Sequence, residues 1–126
     1  MNIKKIVISS VVLLMIDLIY LKNIGAPIFG KVVNDIQGSE LKLNFLGAFI
    51  SYLFLIIAIN YFILIPKKSI LDAFILGLCI YAVFDGTNLA IFKDYSVKAA
   101  IIDSLWGGIL FAITTYITLR LTDLQK

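Results

Sequence analysis

Three aspartates, Asp17, Asp85 and Asp103, stand inside long apolar runs of a 126-residue chain that has no histidine and one cysteine, Cys79. The usual zinc, haem and Cys/His nucleophile sites are therefore excluded, and chemistry has to come from carboxylates, amides, hydroxyls and aromatic rings. A charged side chain near a bilayer centre costs about 2.5–3.5 kcal/mol, so an apolar helix keeps one only where it faces other helices or water. Around Asp85, helical spacing lines up Tyr81, Asn88 and Phe92 on the same face; around Asp103 it lines up Trp106, Gly107 and Leu110; Asp17 is followed by Tyr20. Such a cluster can hold a proton, a small cation or a polar ligand, or it can lock helices together through hydrogen bonds. No cofactor motif or metal cluster accompanies it.

Positioning these residues is a task for a membrane fold. The chain is 61% hydrophobic and 15% charged, with a mean hydropathy of +1.02, more apolar than a soluble domain of this size can bury. At roughly 20 residues per crossing, four helices use about 80 residues and leave no room for a soluble domain. The sequence predicts an all-α integral membrane protein, one domain over residues 1–126, with spans at about 6–21, 41–65, 70–92 and 97–119. Pro66-Lys67-Lys68 breaks a helix and anchors it among head groups. A cleaved signal peptide is the rival reading of the first run, opposed by Asp17 and by the lack of a small-residue cleavage site. Between Gly25 and Gly38, Ile28, Phe29, Val32, Val33 and Ile36 recur at helical spacing opposite Lys31, Asn34 and Asp35. They predict a short interfacial helix between spans one and two.

Antiparallel threading brings Asp17, Asp85 and Asp103 to about 6, 10 and 9 Å from the same membrane boundary. With four spans both termini share a side, which carries Lys4, Lys5, Lys67, Lys68, Arg120 and Lys126; the other carries Lys22, Lys31, Lys42, Lys93 and Lys98. The compact pairs favour cytoplasmic termini and a cytoplasmic-membrane location. Small residues at four-residue spacing, Ala82, Gly86 and Ala90 in span three and Ala100, Ser104, Gly108 and Ala112 in span four, predict a close helix pair. Asp72 reads as an early-turn acid that favours the helix dipole. The net charge of +3 includes no dense basic stripe, which argues against nucleic acid and leaves membrane lipids as the surroundings, with self-association allowed.

The segments YAVFDGTNLA (Tyr81 to Ala90) and IDSLWG (Ile102 to Gly107) resemble the two signatures of a family of small four-helix membrane proteins known as domain of unknown function 2177. The pattern Y-x-x-Y-D-x-T-N-x-A followed by D-x-x-W-G is matched at Asp85, Thr87, Asn88, Ala90, Asp103, Trp106 and Gly107. It is departed from at Phe84, where the pattern has a tyrosine. The resemblance covers nearly the whole chain and adds Thr87 to the candidate set of Asp17, Tyr20, Tyr81, Asp85, Asn88, Asp103 and Trp106. It implies a bacterial-type cytoplasmic membrane protein without a known activity, with an association to fatty-acid modification that motivates a lipid-accessory role. Three classes follow: proton- or cation-handling transport or conduction of a small solute; a non-enzymatic scaffold or accessory for lipid modification; and an enzyme, which would have paired acids but no nucleophile or cofactor.

Overall fold

A computed structural model describes residues 2–123; Lys126, counted above among the basic residues of the terminal side, lies outside them. The described residues form five α-helices: α1 (Ile3–Tyr20), α2 (Ala26–Gln37), α3 (Phe45–Ile59), α4 (Ile70–Ile91) and α5 (Val97–Asp123). A π-helical turn, Leu21–Gly25, joins α1 to α2, and another, Asn60–Leu64, extends α3. There are thus four helical runs, and three of them, Phe45–Leu64, Ile70–Ile91 and Val97–Asp123, are long and apolar enough to cross a membrane. The first run, which begins at Ile3, is not among these three.

Local chemistry accounts for most helix ends. Asn2 caps α1 by accepting the Lys4 N–H at 3.0 Å, and Asn44 caps α3 by accepting the Gly47 N–H at 3.1 Å. Residues 41–44, taken from the sequence as part of the second span, therefore precede the helix. Ser69 and Asp72 form a reciprocal capping box on α4, which gives Asp72 its place. Lys67 closes the turn after α3 at φ 57°, with the Lys68 N–H donating to the Ile63 carbonyl at 2.8 Å.

The expected interfacial helix is not a separate element. It continues α1 from Ile3 to Gln37 without a break and ends at Gly38, whose φ of 73° is left-handed. Gly25 adopts a helical φ of −64°, so it does not punctuate the run. Pro27, two residues beyond the π turn, lacks an N–H and crowds the carbonyl four residues back; the wider turn ahead of it gives that carbonyl room. The amphipathic reading of this segment holds: Val32 is buried and Ile28, Phe29, Val33 and Ile36 are half-buried, whereas Lys31, Asn34 and Asp35 are exposed. Its apolar face reaches the α4–α5 connection, where the Phe29 and Tyr95 rings lie 6.2 Å apart.

Helix α5 is the centre of the bundle, packed extensively on α4 and less so on α1, while α3 touches mainly α1. The fully buried apolar layer is Leu13, Ile59, Ile63, Ala73, Leu110 and Phe111. Close approach of α4 and α5 occurs at Gly77 and Gly107: a Cβ on Gly77 would lie 2.1 Å from the Gly107 carbonyl oxygen, and one on Gly107 would lie 2.3 Å from the Tyr81 ring. The small-residue ridge expected to do this on α4 does not, since Ala82, Gly86 and Ala90 are exposed and a Cβ on Gly86 would meet nothing within 4 Å. Ala73, Gly77, Tyr81 and Asp85 follow one another at four-residue intervals, and turning Asp85 inward carries that line onto α5. The neighbouring ridge then sits about 100° round the helix.

Candidate functional site

Asp85 is 1% exposed, Asp17 5% and Asp103 8%, and each carboxyl meets hydroxyl or indole donors from other elements. Asp17 on α1 accepts the Trp106 indole N–H at 2.9 Å and the Tyr52 hydroxyl from α3. Tyr20, one turn beyond Asp17, stacks on Trp106 with ring centroids 4.4 Å apart and donates to Asp103 at 3.4 Å. Asp103 lies beside Asp85 across the α4–α5 seam. Asp85 accepts from Ser104 at 3.2 Å and from Tyr95 at 2.7 Å. One line of polar groups therefore runs from Tyr52 through Asp17, Trp106 and Tyr20 to Asp103, and continues from the adjacent Ser104 to Asp85 and Tyr95.

The remaining candidates stand at its edges. Asn88 is half-buried on the Tyr95 side, and with Tyr95, Phe29, Phe84 and Phe92 it lines a cleft of about 250 Å³. Tyr81 packs its ring on Gly107 and is no hydrogen-bond partner of Asp85, contrary to what its i, i+4 spacing promises. Thr87 is exposed and makes no contact with the cluster. Three participants escape the sequence reading. Tyr52 is one of two hydroxyl residues within α3, a signal available but unused; Ser104 reads as a packing residue; and Tyr95, in a non-periodic connection, gives no signal.

Tyr95 lies outside the membrane-spanning helices. Burial raises its phenol well above the ordinary value, and the Asp85 carboxylate that it faces adds to this, while the nearby Asn88 amide works the other way. Among the described residues no three carboxylate or sulfur donors converge closely enough to hold a metal ion.

Buried carboxyls joined by hydrogen bonds inside a multi-pass helical bundle define a membrane protein with a polar interior. The family model for "Predicted membrane protein (DUF2177)" matches residues 2–120, and the chain belongs to that family. No curated protein and no solved structure matches it.

Proposed function

We propose that the Asp85–Asp103 pair holds and exchanges a proton, or trades it for a small cation, within a single membrane domain crossed by four helices. The burial of both carboxyls on the α4–α5 seam carries this reading: Asp85 is 1% and Asp103 8% exposed, and Ser104, the residue after Asp103, donates to Asp85 at 3.2 Å. A proton held between neighbouring carboxyls spares the buried pair a second uncompensated charge. Tyr20, Tyr95 and Ser104 supply donors around the pair, which leaves it a group that can release and recover a proton as those donors shift.

The first run, Ile3–Gln37, is in this reading the fourth crossing. Its charged residue at depth, Asp17, is matched by Tyr52 and Trp106, which removes the main objection to membrane insertion. Both termini then lie on the cytoplasmic side, and reporter fusions at the two ends report the same side. Movement of a small solute coupled to the proton or cation is the corresponding activity.

Flux in proteoliposomes under a proton or sodium gradient tests the proposal. The parent conducts or exchanges, and Asp85→Asn and Asp103→Asn, which keep shape and remove charge, do not. Absence of flux in the parent, with both variants folded and active in complementing a deletion strain, overturns it. The second reading, a scaffold or accessory to lipid modification, then stands, supported by the commitment of five side-chain donors to the three carboxyls.

A further inference from the structure

Between α3 and α4 lies a groove of about 640 Å³, bounded by Phe54, Ala58 and Phe62 on one wall and by Leu76, Ile80 and Phe84 on the other, with Asp103 of α5 at its floor. That volume falls within the range of small-molecule sites. The groove is graded along its length. Ser51 and Asp103 lie toward the end that α3 and α5 enter, each six residues, or about 9 Å, from its helix start, and Tyr81 lies halfway along α4. Ala58 lies past the midpoint of the α3 run, and Phe62 and Leu76 lie toward its opposite end, a stretch in which the residues lining the groove are apolar. A groove polar toward one end and apolar from its middle onward is the profile of a site for an amphiphile with a polar head and one long chain.

The polar end also has unused capacity. Neither the Tyr81 hydroxyl nor that of Ser51 makes a hydrogen bond among the described residues, although Tyr81 is half-buried and both line the groove. Asp103, which borders the same space, adds acceptor lone pairs beyond the one engaged by Tyr20. A plain acyl chain would leave these groups without partners in a medium that contains no water to replace them. A head that both donates and accepts would satisfy them, and it must be small, because the polar end lies beneath roughly two turns of flanking helix.

We infer that the α3–α4 groove binds a single-chain, hydroxyl-headed amphiphile from the bilayer, its hydroxyls on Asp103 and Tyr81 and its chain along Ala58 and Phe62. The groove faces the hydrocarbon sideways, so this ligand enters without crossing water. Binding needs no gradient and is independent of whether the Asp85–Asp103 pair moves protons.

The test is retention by the purified full chain, measured by native mass spectrometry, of 1-monooleoylglycerol against methyl oleate, which has the same chain and no hydroxyl. The parent retains the glycerol ester at least about tenfold more tightly, a difference expected for one or two buried hydrogen bonds. Ala58→Trp, which fills the groove, abolishes retention of both. Tyr81→Phe, which keeps the ring on Gly107, leaves chain binding and reduces the preference severalfold. Helical content and thermal midpoint, compared with the parent, verify that both variants are folded. Equal retention of the two esters, or undiminished retention by a folded Ala58→Trp variant, overturns the inference. So does oxidant-driven disulfide crosslinking between a Phe54→Cys chain and a Phe84→Cys chain, which would show that a second copy fills the groove.

Discussion

The Trp106 indole N–H reaches Oδ1 of Asp17 at 2.9 Å across 89 residues of sequence. Through it the N-terminal helix is fastened to α5 at the same level where the Tyr20 ring covers the indole face. Polar and stacking contacts are separable here. Trp106→Phe keeps an aromatic ring beneath Tyr20 and removes the donor, leaving Asp17 with Tyr52 alone. The expected loss is about 1 kcal/mol, the scale of hydrogen bonds between membrane helices, read as a lower midpoint in detergent unfolding.

Gly77→Ala places a methyl on the Gly107 carbonyl, where no side chain can swing aside. The helices must separate, at a cost of about 2–3 kcal/mol or more. Gly86→Ala, where the new methyl meets nothing, is neutral or slightly stabilising because alanine is the better helix former. Thermal unfolding of the pair in one detergent reads the contrast directly.

Asp85→Leu removes the acceptor for Tyr95 and Ser104 at a position that is 1% exposed. Stranding two donors costs about 2 kcal/mol or more, whereas Ile91→Leu on the exposed face changes stability by less than about 0.5 kcal/mol. Equal midpoints would show that the cluster contributes nothing to holding the helices.

Tyr95 predicts an alkaline limb in the stability profile. Its folded-state pKa is raised, so the folded chain binds the phenolic proton more tightly than the unfolded chain does. Its contribution is complete below the ordinary value of about 10 and falls as pH rises above it. Tyr95→Phe lowers the plateau by about 1 kcal/mol for the lost bond to Asp85 and makes the decline above pH 10 shallower. Denaturant titrations between pH 8 and 11 check both.

Much of this arrangement is legible in the sequence because membrane insertion makes polar residues conspicuous. Asp17, Asp85 and Asp103 interrupt apolar runs, and helix polarity alone brings them to one level. Spacing is less informative about partners. Tyr81 stands four residues from Asp85 yet packs on a glycine, because the same face has to provide the α4–α5 contact. The small-residue ridge failed for a related reason: Ala73, Gly77 and Ala82, Gly86 are competing stripes, and the inward demand of Asp85 selects the first. Tyr95 is hidden since a connecting segment has no period, and the continuity of α1 into α2 is hidden since Gly25 reads as the bound of a separate amphipathic segment.

The Gly77–Gly107 contact also divides the molecule mechanically. Backbone pressed on backbone has no rotamers with which to yield, so α4 and α5 travel as one rigid plate. Against that plate α3 is a lightly hinged strut, tied to α1 by Tyr52 on Asp17 and by the Asn60 amide on the Ser9 hydroxyl at 3.0 Å. The soft coordinate of the bundle is therefore the opening between α3 and α4. Displacement along it loads the Tyr52 tether first and reaches Asp103 through Asp17, Trp106 and Tyr20.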